Sequence, residues 1–395
     1  MNTAGSTASG EAKADTLGGM VMLAAAALAL VWANSPWAAS YGEALTVTFG
    51  PASVGLHKSL GLWISDGLMA IFFLYVGLEI KREMVEGQLA SRDRIALPAI
   101  AALGGMIVPA LVFLALNRSD AMAARGWAIP CATDIAFSLA VLRVLGNRVP
   151  VSLRVFLTAV AILDDIGAIA VIAFFYTDAL SLWMLAAALV PIAGLIALNR
   201  MRVASVVPYL LLGLVLWVCV LKSGIHPTLA GVVVAAAIPM QSARGRMLEG
   251  LEHSLKSWVV FLILPIFALA NAGVSFQGLG FGGLLEPVAL GIILGLMFGK
   301  TFGVALGIYA AKALRISKPP EGAGWLQLLG VAHLCGIGFT MSLLVAVLAY
   351  ETQAPHLFDE AKLGVLAGSL LGATAGVVVL LLAPRHIGVS TTPKA

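Results

Sequence analysis

Asp164 and Asp165 are the only charges in Val155–Thr177, VFLTAVAILDDIGAIAVIAFFYT. That stretch is about long enough to cross a bilayer as a helix. An aspartate at mid-membrane costs roughly 2.5–3.5 kcal/mol on the lenient insertion scale, and a like-charged neighbour adds to it. Such a pair is kept where it faces a wet cavity, shares protons or binds a cation. The chemistry implied is cation handling. Two further charges stand alone in apolar surroundings. Lys300 is the only charge between Glu286 and Lys312, and Asp134 the only one between Arg125 and Arg143. A buried ammonium keeps its charge when a carboxylate lies beside it, so Lys300 is expected to have an aspartate partner. The string Gly299-Lys300-Thr301 lacks the glycine spacing of a phosphate-binding loop.

Asp134 follows Ile129-Pro130-Cys131-Ala132-Thr133. Proline removes a helix donor and clashes with the preceding turn, which predicts an interrupted helix rather than a simple kink, with Thr133 capping the half-helix that follows. Irregular backbone at membrane depth requires protein or water around it. A second drop in helix propensity lies at Cys335-Gly336-Ile337-Gly338-Phe339-Thr340. Superimposing Cys131 on Cys335 aligns Ser138-Leu139-Ala140-Val141 with Ser342-Leu343-Leu344-Val345. The two segments are expected to run in opposite directions, as an inverted repeat of helices 3–5 and 10–12 requires, with the two broken helices crossing at mid-membrane.

The elements that hold these residues are apolar helices. Only 11% of the 395 residues are charged, against about 25% in soluble domains, and the mean hydropathy of +0.99 excludes an ordinary soluble fold. The sequence therefore predicts an all-α membrane protein of about twelve transmembrane helices, near 17–34, 59–80, 95–116, 121–142, 151–176, 181–198, 204–221, 224–238, 254–272, 288–310, 326–349 and 358–383. Residues 17–384 are expected to form one polytopic membrane domain between a disordered tail, 1–16, and a second tail, 385–395. An even number of spans places both termini on one side. Lys58, Arg118, Arg125, Lys222 and Lys362 fall on the other side, and most remaining Lys and Arg fall with the termini, which predicts cytoplasmic ends. The net charge of +4 is scattered, with no basic block for nucleic acid. Cys131, Cys219 and Cys335 sit in apolar stretches and imply no disulfide framework. Residues 45–58, LTVTFG and SVGL around Pro51-Ala52, suggest a small β-hairpin outside the membrane, an irregular loop being the alternative. Glycine recurs every fourth residue at Gly291, Gly295, Gly299, Gly303 and Gly307, and again at Gly364, Gly368, Gly372 and Gly376, which predicts close backbone packing.

The strings AIPCATDIAFSLAVL, FLTAVAILDDIGAIAV, FLYVGLEIKREMVEGQL, SGIHPTLAGV, FALANAG and GIGFTMSL together resemble the NhaA family of bacterial sodium/proton antiporters, from about Leu17 to Leu382. That family is itself a type example of the inverted-repeat transporters. The resemblance implies a pH-regulated, electrogenic exchanger of Na+ or Li+ for H+ in the bacterial inner membrane, serving sodium and pH homeostasis, with no catalytic residues and no cofactor. By position, Asp165 matches the principal cation carboxylate. Asp164 matches its neighbour, which either joins the Na+ site or pairs with the lysine matched by Lys300. Thr133 belongs with these cation- and proton-binding residues. Asp134 and Lys300 match the residues that offset the termini of the broken helices. Glu79, Arg82, Glu83, Glu252, His253 and Lys256 match a pH-sensing region, and Lys256 departs from the histidine of well-studied relatives. The partners implied are Na+, Li+, H+, the bilayer and a second copy joined through the hairpin.

Other readings compete. Asp134 and Asp165 on separate helices could suggest an intramembrane aspartyl protease, but a Leu-Asp-Asp-Ile context and a buried lysine disfavour a shared-proton dyad. A sodium-coupled symporter of an organic solute is the nearer rival. Asp66 reads equally as a structural hydrogen-bonding group or part of an outward pathway, His226 before Pro227 reads as a turn residue in preference to a pH-linked one, and His333 reads as packing or pH-linked.

Overall fold

The computed structural model describes residues 3–52, 55–177, 180–243, 245–276 and 281–384. Fifteen helices account for most of them. The chain opens with α1 (Thr3–Ala33) and a short α2 (Ala38–Thr46), then a two-stranded antiparallel sheet of β1 (Thr48–Phe49) and β2 (Lys58–Ser59). Thr48 pairs with Ser59 and Phe49 with Lys58. The spans that follow are α3 (Leu60–Val85), α4 (Arg92–Asn117), a bent pair α5 (Ala121–Cys131) and α6 (Ile135–Val144), and α7 (Val151–Phe175). Next come α8 (Leu182–Arg200) and two shorter helices, α9 (Val207–Ser223) and α10 (Thr228–Ala237). The last group is α11 (Met247–Asn271), α12 (Pro287–Ala313), α13 (Trp325–Cys335), α14 (Phe339–Tyr350) and α15 (Pro355–Leu382).

Taking α5/α6 as one broken span and α13/α14 as another, this is the expected all-α membrane architecture of about twelve crossings. Alternation then puts both ends of the described chain at one end of the bundle, the terminal side, with the hairpin at the other. Two boundaries shift for a physical reason. Hydropathy stops at the first charges, yet helical hydrogen bonding continues, so α3 runs on to Val85 and α11 starts at Met247. Residues 3–16, expected to be a disordered tail, are helical in α1; their Ala, Glu and Lys are good helix formers. The apolar part of that helix starts at Thr16. The tail 385–395 lies outside the described residues.

Two packing units share α3. One is built from α3 with α8, α9 and α10, around Leu78, Leu195, Tyr209, Leu216 and Val234. The larger one gathers α1, α4 to α7 and α11 to α15 around the broken helices, with Phe72, Phe73 and Val76 of α3 against it. Within it the glycine stripe of α12 lies directly on α4. A Cβ at Gly303 would land on the carbonyl of Gly104, and one at Gly104 on the carbonyl of Gly303. On α15, Gly364 and Gly368 meet Ala289, Ile293 and Leu296 of α12, while Gly372 and Gly376 meet His333, Gly336 and Leu334 on the α13 side. Both stripes therefore pack as their spacing predicts.

The repeat is visible in the bonding between breaks. Ser138 Oγ donates to Leu334 O (2.9 Å), and Ser342 Oγ, its aligned counterpart, donates to Ile129 O (2.6 Å). Each serine thus fastens its own half-helix to the partner repeat. Asp134 N also donates to Ile337 O at 2.7 Å, so the two breaks touch.

Candidate functional site

The break between α5 and α6 occupies residues 132–134, and that between α13 and α14 occupies 336–338. Two helix C-termini and two N-termini converge there, leaving unpaired carbonyls and amides at membrane depth. Lys300 Nζ bonds the carbonyl of Cys131, and Thr133 Oγ1 donates to the carbonyl of Cys335 at 2.8 Å. At the opposite polarity, Asp134 Oδ1 accepts from Phe137 N (2.9 Å), while Oδ2 accepts from Thr340 N (3.1 Å) and Thr340 Oγ1 (2.5 Å). A cation thus sits on a C-terminal end and an anion on both N-terminal ends, the favourable sign at each. Asp134, not Thr133, caps α6, because Thr133 turns away to the second repeat. Thr340 escaped the sequence reading. A threonine in the first turn after a Gly-x-Gly break is a capping signal that could have found it.

Asp164 and Asp165, mid-helix on α7, are both buried. Successive helical residues point about 100° apart, and the two carboxylates diverge accordingly. Asp164 Oδ2 accepts from Lys300 Nζ at 2.7 Å and lies 2.7 Å from Thr133 Oγ1, whose single proton is shared between it and the Cys335 carbonyl. Lys300 is fully enclosed and follows a π turn, Gly295–Gly299, that interrupts α12. Such turns often mark functional positions. The partner expected for Lys300 is therefore Asp164.

Asp165 faces a cavity of about 250 Å³. That cavity is walled by Glu79, Arg82 and Glu83 of α3, Asp134 and Arg143 beside and on α6, Thr158 of α7, Lys256 of α11, and Thr340. It lies on the terminal-side halves of these helices. Arg82 joins two of them. Its Nε donates to Glu252 Oε2 at 2.9 Å, and its guanidinium meets Glu83 Oε1 at 2.7 Å. Glu83 Oε2 in turn accepts from Gln88 N at 2.8 Å. Of the residues matched to a pH-sensing region, Glu79, Arg82, Glu83 and Lys256 line the cavity and Glu252 attaches through Arg82. His253 does not line the cavity; its side chain is exposed.

Three residues left open by the sequence have defined partners. Asp66, within a π turn at the start of α3, is bound by Lys58 Nζ at 2.6 Å and lies 3.6 Å from His226 Nε2. His226 fits the turn reading through Nδ1, 2.7 Å from Thr228 Oγ1, and its Nε2 also faces Asp66. His333 Nδ1 lies 3.0 Å from Thr301 Oγ1. Beyond the polar cavity, Glu351 at the hairpin-side end of α14 is raised above the usual carboxylate range by burial, with Asp66 adding repulsion.

Comparison with known proteins agrees with this arrangement. Residues 11–380 match the family described as Na+/H+ antiporter 1. The chain is 52% identical over 381 residues to the Na+/H+ antiporter NhaA of Mesorhizobium japonicum, covering 94% of this chain and 93% of that one. It is 54% identical over 370 residues to Na+/H+ antiporter NhaA 2 of Pseudomonas syringae pv. tomato, with 93% of each covered. A third relative, NhaA of Shewanella sp. strain MR-4, is 52% identical over 367 residues, 92% of this chain and 94% of its own. With two broken helices crossing beside adjacent buried carboxylates, and with matches of this extent, the chain belongs to the NhaA family of Na+/H+ antiporters.

Proposed function

We propose that this protein exchanges Na+ or Li+ for protons at Asp164 and Asp165, moving more protons than cations per cycle. The observation that carries the reading is Asp165. It is a buried carboxylate at the floor of a polar cavity, next to a second carboxylate held by Lys300 and Thr133. A dehydrated Na+ needs several hard oxygens. Asp165 supplies them first, with water from the cavity and the Asp164 and Thr133 oxygens beside it. Protonation of the same oxygens removes the cation's ligands, so one site serves both ions in turn. Asp134 and Lys300 hold the converging helix ends in charge balance, which lets the backbone stay broken there. Glu79, Arg82, Glu83, Glu252 and Lys256 form the charged approach to Asp165 and tune its response to pH. The terminal side is cytoplasmic, the membrane is the bacterial inner membrane, and the hairpin joins two copies.

The test is the full chain in sealed vesicles with an internally acidified lumen and a pH-sensing dye. Adding NaCl or LiCl with no organic solute should release protons from the lumen, faster when the membrane potential is collapsed by K+ and valinomycin. Asp165→Asn should abolish the response. A dye signal that needs an organic solute, or that survives Asp165→Asn, overturns the reading.

A further inference from the structure

The two adjacent aspartates open on different cavities. Asp165 lines the polar one and Asp164 does not; Asp164 instead forms part of a second cavity, of about 520 Å³, between α4, α5 and α7. Its walls are apolar: Met106 and Leu111 of α4, Trp127 of α5, Val171 and Phe175 of α7. The cavity extends from Asp164 toward the hairpin-side ends of these helices. Leu111 is 60% and Phe175 62% exposed, on the face that meets lipid, so its mouth opens sideways into the bilayer. Trp127 and Phe175 stand edge to face there, ring centroids 5.2 Å apart.

Asp164 is 1% exposed, and only its Oδ2 is engaged. Oδ1 is buried without a hydrogen-bond partner, a condition that costs free energy in a low-dielectric interior. A small hydrated cation finds no further oxygens along these walls, and a plain lipid tail would leave Oδ1 unpaired. What fits is an apolar body with one charged N–H donor. The body removes apolar surface from water and meets the two rings, whose faces favour cations. The donor makes a charge-assisted bond to Oδ1. The residues that line this cavity include no cation, and Asp164 holds a single ammonium, Lys300, which leaves room for one more at Oδ1. The volume falls in the range of small-molecule sites, roughly 300–1,000 Å³.

We propose that this cavity is a binding site for amphiphilic organic monocations, a protonated amine on a flat apolar body, reached from within the bilayer. The site depends on the free oxygen of Asp164 and not on transport of Na+ by the protein. Binding therefore stands or falls separately from the exchange reading.

The experiment is equilibrium dialysis of the full chain in detergent, with protein-free micelles as control. The probes are 1-naphthylmethylammonium and its uncharged isostere 1-naphthylmethanol. Binding of the ammonium above the micelle control should exceed that of the alcohol by about tenfold, the worth of one charge-assisted bond. Asp164→Asn should remove that margin. Val171→Trp, and the gentler Val171→Phe, should weaken both probes by filling the cavity without touching the carboxylates. Equal binding of the two probes overturns the proposal. So does a margin that survives Asp164→Asn, or ammonium binding unchanged by both Val171 variants, which would place the probe in the polar cavity instead.

Discussion

Asp134 takes three hydrogen bonds from two half-helices, and its nearest counterpart in role is Lys300, which binds one helix end and Asp164. Removing either side chain's partners has a calculable direction. Thr340→Val keeps the shape and the backbone donor but loses the hydroxyl bond to Asp134, so it should lower stability by about 1.5–3 kcal/mol, the value of a bond to a charged group. Thr340→Ser should recover most of it, read as thermal unfolding in detergent. Lys300→Ala leaves Asp164 and the Cys131 carbonyl without their donor. By the behaviour of broken buried pairs it should cost on the order of 3–5 kcal/mol. Its exchange activity should also move toward higher pH, because a proton at Asp164 no longer competes against an ammonium. Unchanged unfolding and an unchanged pH profile would mean that the pair contributes nothing. The four charged members of this site were legible in the sequence because a charge in an apolar span is expensive and so has a reason. The Cys131 and Cys335 carbonyls were not, since which backbone group a side chain reaches depends on how two breaks cross. Thr133 was readable as a residue beside the break, but it does not cap α6 as expected, because it turns to Asp164 and the Cys335 carbonyl.

At the scale of elements, glycine spacing foretold that α12 lies close against a neighbouring helix, because a surface without side chains is worth having only where another backbone covers it; that the neighbour is α4 is read from the structure alone. Gly303→Ala would drive a Cβ into the Gly104 carbonyl, with no flexible side chain to yield. The expected result is a large fall in folded yield and unfolding temperature. Gly250, in the charged start of α11, has open space around its Cβ position. Gly250→Ala should therefore stabilise the protein by roughly 0.5–1 kcal/mol, through the ordinary helix preference alone. If both variants unfold alike, the stripe is not a packing surface. The ends of α3 and α11 were misread from hydropathy for a related reason. Lipid selects the apolar turns, but Arg82 and Glu252 lie on helical turns beyond them and are held by each other.

Across the whole molecule, the polar cavity reaches Asp165 from the terminal side, and the apolar one reaches Asp164 from the other half of the membrane. On the proposed reading, water that reaches Asp165 through one cavity would let proton and Na+ compete for the same oxygens without a remote gate. Competition of this kind fixes a quantitative signature. Below the range in which the carboxylates ionise, each proton displaced per bound cation should weaken apparent Na+ affinity about tenfold per unit fall in pH, by linkage. Exchange should then fall away in acid even if the charged approach of Glu79, Arg82, Glu83 and Lys256 were inert. Calorimetric titration of the purified chain with Li+ or Na+, in buffers of different ionisation enthalpy, counts the protons released. At least one should leave per cation near neutral pH, and Asp165→Asn should abolish both binding and release. Binding without proton release would separate the two ions into different sites. The acid fall-off would then have to come from the charged residues on α3 and α11, which the Arg82–Glu252 contact joins beside the cavity.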